Sequence, residues 1–279
     1  MSVVRALIGL VLGFGIAFGS YYGTLTALRG GNTTPVVVDT AHSHGHASPK
    51  PSAGNTTAVA VGVACGVLGG VYSSIAFGRG IYTLGFFSIL GFLLDLSWGL
   101  LNMAGSLVWL LACAVAGGDF VEPDERSRRS GTFVYSENPR GGGYAATTIG
   151  TVIAGGWSSH EEIHVWQARI FGPLYMPVYL SSLLLNMLFR VITGKFEALT
   201  MQAYYRICFE DWAYAGGTTS GGDINWGSWF LWSLLSLLYV SMPIVTVVGI
   251  MTKTIILSII SMGGLVTYSL IRAFLPAGE

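Results

Sequence analysis

Long stretches without a charged residue alternate with short polar segments along this chain. Residues 6–28, 51–78, 96–118, 170–189, 224–252 and 254–271 contain no Asp, Glu, Lys or Arg. A helix needs roughly 20 apolar residues to cross a bilayer core, where no water is present to satisfy backbone groups. The pattern predicts an all-α polytopic membrane protein with about five to seven membrane helices, some of them re-entrant. The shorter uncharged run 80–94 reads as one arm of a helical hairpin with 96–118. Met1–Arg5 before an apolar stretch has the form of a signal peptide. The run continues to Leu28 without an Ala-x-Ala site, so it is read as a retained first helix.

The polar segments carry the remaining signals. Residues 29–56 form a loop rich in Gly, Pro and Thr, with His42, His44 and His46 at alternate positions. It reads as a solvated loop of biased composition rather than a metal-collecting tract. From Asp119 to Tyr144 the chain holds Arg126, Arg128, Arg129 and Arg140, which favours the cytoplasmic side. Turn residues at Asn138-Pro139 and Gly141–Gly143 separate β-prone runs, and Gly155-Gly156 closes the second. A small β-hairpin-like segment is expected there. A helix follows, capped by Ser158 or Ser159 and ending near Gly172-Pro173, with Pro177 as a second break. Residues 195–214 are more polar and read as an amphipathic or partly embedded helix. The chain thus divides into N-terminal membrane helices (1–118), a metal-site region (119–223) and C-terminal membrane helices (224–279).

Composition supports the membrane assignment. Hydrophobic residues make up 52% of the chain and charged residues 10%, against about 25% charged in soluble domains. A formal net charge of +0 gives no pull toward nucleic acid. Trp226, Trp229 and Trp232 fit an interfacial belt. Cys65, Cys113 and Cys208 form no CxxC pair, which excludes a thiolate metal site of that type.

Against this background one cluster stands out: His160-Glu161-Glu162-Ile163-His164. Two histidines four residues apart lie on one helical face, one turn apart, where their imidazoles can share a metal. Glu161 sits beside them and is suited to moving a proton to and from water. A catalytic zinc takes three protein ligands and keeps one position open. No histidine follows His164, so a carboxylate is the natural third ligand. Glu210, in Arg206-Ile-Cys-Phe-Glu-Asp-Trp-Ala213, is the first choice, with Asp211 and Glu197 behind it; its competing partner is Arg206, four residues earlier. Gln167 shares the face of His160 and could hold a ligand or substrate. Arg169 could pair with Glu162. Asp95 reads as an outer partner to a ligating histidine, as a helix-end cap or as a buried hydrogen-bonded carboxylate. The stretch 144–153 could pair with an extended substrate.

The motif resembles that of zincin metallopeptidases, and a glutamate from a later helix resembles the gluzincin arrangement. The longer strings HEEIHVWQARIFGPLY and FEDWAY resemble uncharacterised bacterial membrane proteins with HExxHxxQ and GPLY-like motifs. The resemblance covers residues 144–214. The chain lacks the long soluble domain of thermolysin-like enzymes and the third-ligand motif of site-2 proteases. The expectation is a multi-pass protein of the bacterial inner membrane that is a zinc-dependent metalloprotease. Its metal site lies near the cytoplasmic face, and it acts on a membrane-associated protein or peptide. The alternative is a non-enzymatic membrane protein, a divalent-metal transporter or structural subunit, that uses the motif for binding or packing.

Overall fold

The computed structural model describes residues 2–30, 53–116, 118–141 and 146–217, with scattered positions from 227 to 267. His42, His44, His46, the three tryptophans near 226 and nearly all of the last two apolar runs lie outside the described residues. The chain clusters into two compact units, Met1–Val108 with Pro123–Phe133, and Trp109–Glu122 with Val134–Glu279.

In the first unit α1 (Val3–Gly30) and α2 (Ala53–Gly78) pack as an antiparallel pair. Small residues allow the close approach: a Cβ on Gly13 would collide with the Gly69 carbonyl and the Ser73 side chain. The outer faces present Leu7, Val11, Val63 and Val67. The next helix, α3 (Phe86–Leu96), exposes Phe86, Phe87, Leu90 and Leu93 while burying Ser88, Gly91 and Asp95. A water-soluble helix has the reverse order, with its polar face outward. The buried Asp95 accepts a hydrogen bond from the Tyr82 hydroxyl, which is itself 2.9 Å from the Tyr72 hydroxyl. Of the three readings of Asp95, this is the buried hydrogen-bonded one.

After a break at Ser97–Gly99 comes α4 (Leu100–Ala116). It leaves α3 at 97°, so the expected hairpin is instead a corner. At the break the Gly99 amide bonds back to the Leu94 carbonyl at 2.7 Å. The arginine-bearing segment forms a short α5 (Glu125–Ser130), whose Asp124 cap accepts from the Ser127 amide at 2.7 Å.

A three-stranded sheet, all of it but Phe133 in the second unit, consists of β1 (Phe133–Tyr135), β2 (Thr147–Ile149) and β3 (Val152–Ala154) in the order β1-β3-β2. Strands β2 and β3 form an antiparallel hairpin turning at Gly150 (φ 59°), with Thr148 opposite Ile153, and β3 is fully buried. The reversal therefore lies inside the second β-prone run and not at the turn residues 138–143, and β1 joins β3 as a third strand. The Gly155 and Gly156 amides both bond the Tyr135 carbonyl, at φ values of 97° and 91° that favour glycine. They turn the chain into α6 (Ser159–Phe171), which carries the motif. Gly172–Leu174 form one 3₁₀ turn, and α7 (Tyr175–Ile192) follows. The expected break at Pro177 is absent. It falls in the first turn of α7, where the missing N–H has no intrahelical acceptor to lose.

Past α7 the chain reverses at Gly194 (φ 71°), where the Lys195 and Gly194 amides bond the Arg190 and Val191 carbonyls. Residues 195–214, expected as one helix, are two: α8 (Leu199–Tyr204) and α9 (Cys208–Gly216). They return along α7. Asn186 Nδ2 donates to the carbonyls of Ala203 (3.2 Å) and Arg206 (2.7 Å), and the Cys208 amide donates to Ser182 Oγ. The inward stripe Ser182, Asn186, Arg190 repeats every four residues, opposite the exposed Leu180, Leu184 and Leu188. An apolar core of Ile163, Phe171, Tyr175, Ile207, Phe209 and Trp212 joins α6, α7 and α9.

Among the described residues three helical stretches are long and apolar enough to cross a membrane: Val3–Leu28, Thr56–Gly78 and Ser159–Ile192. A fourth is reached if the bent pair α3 and α4 counts as one span.

Candidate metal centre

The N-terminus of α6 is set by Ser158, whose side chain accepts from the Glu161 amide at 3.2 Å. This cap fixes the phase of the helix. His160 and His164 then fall on one face, both buried, with their Nε2 atoms 3.2 Å apart. From α9, Glu210 Oε2 lies 3.4 Å from each of these nitrogens. His160, His164 and Glu210 are the only group of His, Cys, Asp and Glu among the described residues that could hold a metal ion.

Three features fit a cation. First, the Gln167 amide is held in one orientation, because its Nε2 donates to the Phe209 carbonyl at 2.9 Å. Its Oε1 must then accept, and the group it meets at 2.8 Å is His164 Nδ1. The proton of neutral His164 is thereby placed on Nδ1, and the Nε2 lone pair points at His160 Nε2 and Glu210. Second, Glu210 Oε2 is buried and has no hydrogen-bond partner among the described residues, although a buried carboxylate oxygen without one is costly. Third, burial alone would push the Glu210 carboxyl up, yet the two imidazoles hold it well below the usual carboxylate range. The site thus keeps Glu210 anionic despite its desolvation, as an oxygen ligand to a metal must be.

The surroundings hold these groups in place. Tyr179 donates to Glu210 Oε1 at 3.1 Å, and Tyr204 lies beside the same carboxylate. The Tyr214 ring packs against His160 at a tilt, with centroids 4.3 Å apart. Gly217, just past α9, lies against the His160 backbone so closely that a Cβ there would collide with it. Glu161 is buried, and the Thr148 hydroxyl of β2 donates to its Oε2.

The structure thus brings together His160, His164 and Glu210, with Gln167 supporting His164. Asp211 is buried on α9 but outside the three-ligand group, and Glu197 is exposed. Arg206 does not compete for Glu210 in the way its spacing suggested; its Nη1 donates to the Gln202 carbonyl and to Gln202 Oε1. Arg169 is buried with its guanidinium 4.8 Å above the Trp166 ring. Thr148, Tyr179, Tyr214 and Gly217 were not singled out from the sequence. Only the tyrosine-rich setting of Glu210 hints at them, since tyrosines with buried rings keep a hydroxyl available to bond a buried carboxylate. Compared with protein-family models, curated proteins and solved structures, the chain matches none.

Proposed function

We propose that this chain is a membrane-embedded zinc metalloprotease that hydrolyses a peptide bond in a membrane-associated substrate. The observation that carries the proposal is the triangle of ligand atoms with edges of 3.2, 3.4 and 3.4 Å beside the carboxylate of Glu161. Zinc bound at 2.0–2.2 Å in a tetrahedron sets its ligands about 3.3–3.6 Å apart. Octahedral coordination at the same distances would set adjacent ligands nearer about 2.8–3.1 Å. Two imidazoles and one carboxylate also suit zinc better than the oxygen-seeking magnesium or calcium. Bound there, zinc would lower the pKa of a coordinated water toward about 7 and polarise the peptide carbonyl.

The chain's own residues supply the rest. Glu161 accepts the proton of the attacking water and returns it to the leaving amine. Thr148 holds one Glu161 oxygen and leaves the other to meet the water. His164 stays neutral at Nε2 because Gln167 keeps its proton on Nδ1. The position of the site supports a membrane-associated substrate. The 18 residues of α7 extend about 27 Å, close to the thickness of the hydrocarbon core. His160 and His164 precede α7 by more than two turns, which supports a metal near the surface of that core; the arginine-bearing segment before the motif favours the cytoplasmic side of a multi-pass bacterial inner-membrane protein in this reading.

Replacing Glu161 by Gln removes the base without removing a ligand. The variant is expected to retain metal and to cleave a quenched-fluorescence peptide library at least about 10²-fold more slowly than wild type. Wild-type activity is expected to disappear with phenanthroline and to return with zinc. Cleavage by Glu161→Gln at the wild-type rate would refute the mechanism.

A further inference from the structure

At one end of the first unit a cleft of about 390 Å³ opens between the start of α3 and α5. Its lining includes Phe86, Phe87, Ser88, Glu125, Arg128 and Arg129. Both arginines are exposed. The lip is apolar: Leu84 is 95% exposed and Phe86 74%. The Thr83 amide donates to the buried Ser88 hydroxyl at 2.8 Å, which shapes the loop that presents them. The volume falls within the range of small-molecule sites, about 300–1,000 Å³.

The same end of the unit concentrates positive charge. Arg5 begins α1, and Arg79 follows α2 directly; the two helix ends meet where the Ser2 amide bonds the Gly78 carbonyl at 3.2 Å. With Arg126, Arg128 and Arg129 this makes five arginines against the carboxylates of Asp124 and Glu125. Away from this end, the outer faces of α1, α2 and α3 are apolar. A ligand that fits both regions carries an anion at one end and hydrocarbon at the other.

We propose that this cleft binds the headgroup of an anionic phospholipid. Arg128 and Arg129 would bond the phosphodiester with paired N–H donors. The acyl chains would run down the face of Phe86, Phe87, Leu90 and Leu93. The inference rests on α1, α2 and α3 lying in a bilayer and is independent of the metal site. Charge complementarity selects an acidic lipid over a zwitterionic one, since each arginine near an anionic surface contributes about a fivefold preference.

The test uses the full-length protein in mixed micelles, with phosphatidylglycerol or phosphatidylcholine added in steps and bound lipid counted by native mass spectrometry. Wild type is expected to prefer phosphatidylglycerol by about tenfold or more, and the preference is expected to weaken as salt rises. The double variant Arg128→Gln/Arg129→Gln is expected to lose that preference, while Arg140→Gln, an exposed arginine of the other unit, keeps it. Circular dichroism checks that the variants fold, and the wild-type comparison stands without them. Equal binding of the two lipids by wild type, or an unchanged preference in the double variant, would overturn the proposal. Displacement of the lipid by millimolar inorganic phosphate would also overturn it, by marking a site for small soluble anions.

Discussion

Gln167 decides how His164 presents itself. Its two hydrogen bonds, to His164 Nδ1 and to the Phe209 carbonyl, tie a ligand on α6 to the backbone beside the third ligand on α9. A leucine fills similar space but bonds neither, so Gln167→Leu frees the imidazole and unties α6 from the Phe209 carbonyl. Metal affinity is expected to fall about 10–100-fold, as read by competition with a zinc-binding dye, while the fold is retained. Unchanged affinity would show that His164 is held by packing alone. The ligands themselves were legible in the sequence. His160, Glu161 and His164 form a local pattern, and helical spacing puts the imidazoles together. Glu210 stood out as an acid among aromatics in a charge-poor chain. Thr148, Tyr179 and Gly217 were not legible, because each meets the site across 13 residues or more, through turns whose exact geometry no spacing rule provides.

At the scale of elements the site depends on a reversal. An unbroken α7 by itself would carry the chain away from the motif, and α7 is unbroken from Tyr175 to Ile192. The turn at Gly194 and the polar stripe of α7 bring Glu210 back. Asn186 is the central clamp, satisfying two carbonyls of the returning segment. Asn186→Leu is expected to cost about 1–3 kcal/mol of stability, since both carbonyls lose a buried donor. It should weaken metal binding in parallel, although Asn186 is not a ligand. Thermal unfolding with and without zinc measures both effects, and loss of stability with wild-type affinity would show that the return path tolerates slippage. Sequence reading anticipated strands before the motif, the Ser158 cap and the end of α6, all set by local turn and capping chemistry, but it read 144–153 as one run where the chain reverses at Gly150. It misplaced the break at Pro177 and merged α8 with α9. Whether a proline stops a helix depends on its position in the first turn, and Tyr205–Ile207 carry no glycine or proline to mark the break between α8 and α9.

For the whole molecule the informative pattern is the inversion of polarity. Along α3 and α7 the exposed faces are leucine, isoleucine and phenylalanine, and the buried faces hold Ser88, Asp95, Ser182, Asn186 and Arg190. A bilayer as solvent accounts for this order and water does not. In lipid nanodiscs a water-soluble maleimide is expected to label Arg140→Cys rapidly and Leu184→Cys only after denaturation; equal labelling would place α7 in water. Charge-free runs made the apolar helices legible, but not their packing. The α1–α2 contact rests on small residues such as Gly13 and Gly69, which register in a hydropathy pattern only as weakly apolar positions.

In the reading proposed above, His160, His164 and Glu210 together bind one metal ion. Elemental mass spectrometry of the purified full-length protein tests it most directly, comparing wild type with His160→Ala, Glu210→Ala and Glu197→Ala. About one zinc per chain is expected in wild type and Glu197→Ala, and none in the other two. Wild type without metal after reconstitution with zinc, or Glu210→Ala with its zinc intact, would contradict the account.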